Sequence, residues 1–193
     1  SGCTSLTEVS MPDTVEALGS DVFNGCTALT TVKLSNGLKN LPAYTFNECT
    51  ALVNVTMPEY LTTIGERCFY YCQSLESIDL PFSLIAMDND AFGHCIKLHD
   101  IEFPMALSYV GYFAFNGCTA LKKVTIPSTV TTIKENAFFG AAKEVILGTG
   151  VTAFAQNAFS PSEASPEAVK IFYTCTASTY LDLGKTENLI SAT

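Results

Sequence analysis

One interval governs this chain: from near its N-terminus the same pattern of residues returns every 23 positions. Aligned on cysteine, the copies begin at Cys3, Cys26, Cys49, Cys72, Cys95 and Cys118, each three residues ahead of a leucine (Leu6, Leu29, Leu52, Leu75, Leu98 and Leu121). An aliphatic residue follows three positions on (Val9, Val32, Val55, Ile78, Ile101, Val124), and another apolar one two after that (Met11, Leu34, Met57, Leu80, Phe103, Ile126). Proline comes next in every copy except the second, where Ser35 stands. Each unit closes on a second aliphatic pair, such as Val15 and Leu18 or Val130 and Ile133, and then a phenylalanine: Phe23, Phe46, Phe69, Phe92, Phe115 or Phe138. A fixed period of this kind is the signature of a solenoid, in which every unit folds alike and buries its apolar faces against its neighbours.

Local chemistry gives the shape of one coil. The Leu-x-x-Val-x-Leu segment alternates apolar and polar residues with a period of two and is rich in β-branched side chains, so it reads as a half-buried strand. Proline cannot donate to a ladder, so the strand ends there and the chain turns. The Val-x-x-Ile pieces, such as Leu61–Ile64 and Val130–Ile133, read as a second extended side. The polar residues before each phenylalanine, GSDVF, DNDAF and ENAF, read as a short helical turn. A lone unit leaves both flat faces in water and cannot offset the entropy of ordering its backbone, whereas stacked units pair strand to strand. Parallel crossovers of this type are right-handed in nearly all sheets. The expected fold is a right-handed β/α superhelix, mostly β with short helical turns, and one parallel sheet along one face.

About seven coils fit residues 1–159. The seventh is irregular, with Gly148 in place of proline and Ala141 and Ala142 where the cysteine and its neighbour would be. Residues 160–193 lack the repeat and read as a C-terminal cap: a Ser/Pro/Glu-rich loop at 160–167, a last strand within 169–175, and a tail that is helical in part. Ser1-Gly2 lead straight into the first repeat. The expectation is that more sequence precedes Ser1, or that the first coil hides its face by self-association.

Charge narrows the partners. Nineteen acidic and 10 basic residues give a net charge of −9, and no basic run exists. Nucleic acid is excluded, because affinity for phosphate comes from clustered Lys and Arg. No apolar run reaches the roughly 18 to 20 residues that span a bilayer, so membrane insertion is not expected.

The repeat C-x-x-L-x-x-V-x-[LM]-P-x-x-V-x-x-[IL]-x-x-x-x-F resembles the BspA-like branch of the leucine-rich-repeat proteins over about residues 3–159. What the chain lacks is the asparagine ladder of the commoner leucine-rich repeats, so its convex side is expected to be organised by Phe and Cys. The resemblance implies a leucine-rich-repeat solenoid on a secreted or surface-anchored protein of host-associated bacteria or of some protozoan parasites. It also implies binding to a protein, with host or matrix proteins among the candidates. The alternative is a structural spacer or a self-assembling solenoid that displays another domain, and no enzymatic activity is expected, because the sequence holds no catalytic constellation. No functional residue is carried over, because the shared motif consists of structural anchors.

Side chains able to do chemistry are few. The period makes the cysteine column a row of core thiols in the first place, with disulfides between rungs or a thiolate metal site as alternatives. Cys68, outside the column, takes a place that Ala holds elsewhere, and Cys175 lies beyond the repeats. His94 and His99 flank Cys95 near Asp100, a grouping that would suit a Cys-His nucleophile or a metal pair, though surface histidines are far commoner. Asn54-Val55-Thr56 fits an N-glycosylation acceptor. No metal or cofactor is expected.

Binding surface is the better lead. Outward strand positions form a polar face that is acidic in the middle, where Asp79, Asp100 and Glu102 are neighbours, and it suits a partner with basic groups. A second surface is aromatic: Tyr60, Phe82, Met105 and Tyr109 occupy nearby positions off the sheet, while Tyr70, Tyr71, Tyr112 and Phe113 crowd the turn segments. Tyrosine in patches is enriched at interfaces. The candidate binding residues are therefore Asp79, Asp100, Glu102, Tyr70, Tyr71, Tyr109 and Tyr112.

Overall fold

The computed structural model describes residues 1–155, 157–163, 169–173 and 189–191. It is a parallel β-solenoid of about seven turns. The first side carries β1 (Glu8–Ser10), β2 (Thr31–Lys33), β4 (Asn54–Thr56), β8 (Lys123–Ile126), β10 (Glu144–Leu147), β12 (Lys170–Tyr173) and β13 (Leu189–Ser191). The second side carries β3 (Asn40–Leu41), β5 (Thr63–Ile64), β6 (Ala86–Met87), β7 (Tyr109–Val110), β9 (Thr132–Ile133) and β11 (Ala153–Phe154). Register follows the repeat: Val9 pairs with Val32 and Val32 with Val55, and the same position continues as Val124, Val145 and Ile171. Within the region read as a cap, β12 and β13 extend the ladder beyond β10. The tail read as partly helical lies, apart from β13, outside the described residues, as does Cys175.

Two expectations need correction. The sheet is not one continuous ribbon along one face. The first side divides into β1-β2-β4 and β8-β10-β12-β13, with a single bridge, Ser77 to Asp100, standing between them. The second side forms ladders of its own, β3-β5-β6-β7 and β9-β11. Nor is there a helix among the described residues. The segments read as helical turns hold two left-handed positions per unit. One column is Asp21, Tyr44, Arg67, Asp90, Phe113 and Asn136, with φ of 50–61°. The other is Gly2, Gly25, Glu48, Tyr71, His94, Gly117 and Gly140, with φ of 58–72°. A left-handed residue breaks an α-helix.

Its use here is between coils. In the fourth unit Asp90, Phe92 and His94 donate their N–H groups to the carbonyls of Tyr112, Ala114 and Asn116, at 2.9, 2.8 and 2.7 Å. Arg67, Phe69 and Tyr71 do the same one coil earlier, toward Asn89, Ala91 and Gly93. A helical turn would direct these donors along its own axis. The alternating left-handed backbone turns them toward the next coil, so the third side is also a ladder.

The core runs the length of the stack. Phe23, Phe46, Phe69, Phe92, Phe115, Phe138 and Phe159 lie nearly parallel, with centroids 5.1–5.5 Å apart and planes within 5–16°, the geometry of offset stacking. Beside them the column cysteines from Cys26 to Cys118 are at most 1% exposed. From Cys49 on, each thiol of the column donates to the carbonyl of the phenylalanine 26 residues earlier: Cys49 to Phe23, Cys72 to Phe46, Cys95 to Phe69 and Cys118 to Phe92, at 3.0–3.2 Å. No disulfide joins them. Ser35, the break in the proline column, is buried with its hydroxyl donating to the carbonyl of Val15 at 2.6 Å and accepting from the N–H of Gly37 at 3.1 Å. Near the N-terminal end Asn47 Nδ2 donates to Asn24 Oδ1 of the preceding coil at 2.9 Å.

Candidate functional site

Stacking in register places the outward side chains of the first side in two columns. One reads Ser77, Asp100, Lys123, Glu144 and Lys170 through the middle and far coils, so carboxylates and amines alternate and Asp100 has Lys123 beside it. The other reads Ser10, Lys33, Thr56, Asp79, Glu102 and Thr125. Here two carboxylates fall on adjacent rungs between threonines, with no cation in the column next to either. Asp79, Asp100 and Glu102 are all exposed.

This is the place where the ladder is interrupted. Like charges opposite each other destabilise strand pairing, and Asp is a poor strand former. The buried anchors Ile78 and Ile101 still hold the coils in register, but the backbone between them is reduced to one bridge. Three shallow depressions follow one another across the seam. The first, about 400 Å³, includes Thr56, Glu59, Asp79 and Phe82 in its lining. The second, about 320 Å³, is lined by Ser77–Leu80 and Asp100–Glu102. The third, about 460 Å³, includes His99, Asp100, Glu102, Met105, Lys122 and Lys123.

Apolar side chains rim the same depressions. Phe82 is 63% exposed and Met105 69%, and they occupy the same corner position in successive coils. Tyr60, 49% exposed, meets Phe82 edge to face with centroids 5.9 Å apart. The acidic and aromatic surfaces, separate candidates in the sequence, thus share Phe82 and Met105. A sequence signal exists for this: Asp79-Leu80-Pro81-Phe82 and Glu102-Phe103-Pro104-Met105 each set a carboxylate two residues before the corner proline and a bulky apolar residue just after it. No other copy has both.

The tyrosines separate from this face and from each other. Tyr70 and Tyr71 lie at the third side, their rings edge to face at 4.7 Å. His94 stacks on Tyr71 at 4.7 Å and meets Tyr70 edge-on at 5.5 Å. Arg67 sits 5.1 Å over the Tyr70 ring and is paired with Asp90 at 3.3 Å. Burial, with Tyr71 next, pushes the Tyr70 phenol up. Tyr109 and Tyr112 belong to the second side and its corner, where Lys134 lies 5.9 and 5.8 Å over their rings. Burial, then the charge of Asp88, pushes Tyr109 up. Neither cation partner, Arg67 nor Lys134, was marked by any pattern in the repeat.

The grouping of His94, Cys95 and His99 does not converge. Cys95 is fully buried, donates to the Phe69 carbonyl, and burial holds its thiol well above the ordinary range. His94 is held in the aromatic cluster, and His99 lines the depression on the strand face. Asn54 and Thr56 are exposed on β4. Among the described residues no group of His, Cys, Asp and Glu could hold a metal ion, and no helix is long and apolar enough to cross a membrane.

Comparison with known proteins agrees with this architecture. The family model for the BspA type leucine rich repeat region matches residues 1–98 and 62–178, in 6 copies. Among solved structures, a leucine rich cell surface protein from Faecalibacterium prausnitzii is 28% identical, with a TM-score of 0.77 over 86% of this chain and 47% of that one. A leucine-rich repeat protein from Bacteroides ovatus is 22% identical, with a TM-score of 0.74 over 86% and 47%. The pneumococcal vaccine antigen PcpA is 20% identical, with a TM-score of 0.70 over 97% and 56%. The chain therefore spans about half the length of these solved relatives. No curated protein matches the sequence with significance.

Proposed function

We propose, since this chain belongs to the BspA-type leucine-rich-repeat family, that it is a non-enzymatic protein-binding module of a secreted or cell-surface protein. The partner docks across the strand face of the fourth and fifth coils. One observation carries the reading: the unneutralised carboxylate pair Asp79 and Glu102, the exposed Phe82 and Met105, and the interrupted ladder all fall on the same two units. An exposed apolar rim around polar groups is the anatomy of a recognition surface. Similarity to a cell surface protein of the same repeat type supports the location. Adhesion to host or matrix proteins is the role we assign to the docking.

Surface plasmon resonance against a panel of purified matrix proteins tests this. Binding should fall at least about tenfold in Asp79→Asn/Glu102→Gln and in Phe82→Ser/Met105→Ser, as expected when one or two central contacts are lost. Tyr70→Ala and Tyr112→Ala probe the alternative surfaces on the other sides. If binding falls only in those two variants, the strand face is not the site.

A further inference from the structure

Resting on that reading, we infer the chemistry of the partner: an extended segment that presents a lysine or arginine next to an aromatic or large aliphatic side chain. The argument starts from the two columns. Asp100 has Lys123 at the matching position on the next coil, so that column offers it a cation of the protein's own, although no ion pair joins the two. Asp79 and Glu102 face each other across the seam with threonine on either side. Two exposed carboxylates held on adjacent rungs repel each other until a cation enters between them, and an entering cation relieves the repulsion as well as pairing with each.

The apolar rim fixes what must accompany the cation. Phe82 and Met105 follow Asp79 and Glu102 by three residues, around the proline corner, in each of the two coils. Both side chains are more than half exposed, and no described coil before or after has a comparable pair at these positions. A ligand that met only the carboxylates would leave this rim in water, and a purely apolar ligand would bury the carboxylates unpaired, which costs free energy. A segment alternating basic and apolar side chains satisfies both. Arg and Lys also extend their apolar stems along such a rim while the charged head reaches the acids. Overall charge acts in the same direction, since a net charge of −9 draws basic partners and repels acidic ones.

The experiment is selection of random twelve-residue peptides displayed on phage against the immobilised full chain, followed by binding measurements on synthetic copies of the enriched peptides. Enriched sequences should carry Lys or Arg within two residues of Phe, Tyr, Trp, Leu or Met. Asp79→Asn/Glu102→Gln should weaken them at least tenfold and flatten the salt dependence. Phe82→Ser/Met105→Ser should weaken them while leaving the salt dependence in place. Asp79→Lys/Glu102→Lys, selected separately, should turn the enrichment to acidic peptides. All four side chains point to solvent, so every variant should stay folded, as read from a cooperative circular dichroism melt. Enriched peptides without a basic residue, yet weakened by the same variants, would overturn the partner chemistry and leave the docking face standing. Enrichment indifferent to every variant, or no enrichment, would overturn the face and this inference with it.

Discussion

A thiol in the column has two duties. It fills a slot beside the phenylalanine stack, and its S–H meets the carbonyl of the phenylalanine one coil back, which also accepts the N–H of the cysteine three residues after it. Burial therefore fixes its protonation. Desolvation pushes Cys49 and Cys118 up to about 12, and Cys72 and Cys95 well above the ordinary range. A thiol whose folded pKa lies above its unfolded value binds more protons in the native state, so its contribution to stability is complete below about pH 8.5 and declines as pH rises toward the folded value. Urea midpoints measured from pH 7 to 10.5 should fall, and the fall should be shallower in Cys72→Ala/Cys95→Ala. An equal slope in that variant would mean that other groups carry the alkaline loss. In the native protein at pH 8 the exposed Cys3 should react quickly with a thiol reagent and the buried column slowly.

At the level of the strand, the seam between the two ladders is a conflict between packing and charge. Ile78 and Ile101 pack like every other anchor, whereas Asp79 and Glu102 oppose pairing. Glu102→Thr should extend the ladder and stabilise the fold by about 0.2–1 kcal/mol, the scale of a single cross-strand pair in a sheet. The gain should be largest in low salt and shrink in 0.5 M NaCl, as read from urea midpoints; a loss of stability at both salt concentrations would refute this account of the interruption. The same substitution should weaken binding, so the strand gives up pairing where the surface needs charge. The strands, the proline corners and the buried columns were legible in the sequence because each recurs as a residue type. The seam was not, since it arises from outward residues that do not recur and from their neighbours one coil away. The turns were misread for a related reason. At the first left-handed column the residues are Asp, Tyr, Arg, Asp, Phe and Asn, with no glycine to mark the conformation. In the second column four of seven are glycine, a partial signal.

Among the described residues, every strand pairs only with strands of neighbouring coils, so length is adjustable in steps of one unit. Deleting Cys49 to Tyr71, which joins Glu48 to Cys72 in phase, should leave a folded solenoid that melts in one transition at a lower temperature. A deletion three residues shorter puts every column out of register and should not fold. Circular dichroism melts of the two deletions decide the point, and a folded out-of-phase deletion would show that register is not what holds the stack together. The in-phase deletion keeps Asp79, Glu102, Phe82 and Met105, so it should retain peptide binding, whereas removal of the fifth unit should abolish it.

The thiol-to-carbonyl link spans 26 residues, more than one 23-residue period, and the turn-to-turn bonds, which span 22, run from each cysteine-to-cysteine copy into the next. The span that is inherited is thus not the span that is cohesive. A 23-residue window, whatever residue it starts on, holds one copy of every repeated position and depends on its neighbours to complete most of the contacts between coils. A gene of this design can be lengthened by recombination at any codon, provided the two break points are in phase, and it needs no exon boundary or linker to mark where one unit ends. Outward residues are then free to diverge copy by copy, and the recognition surface proposed above for two adjacent units needs no more than that freedom.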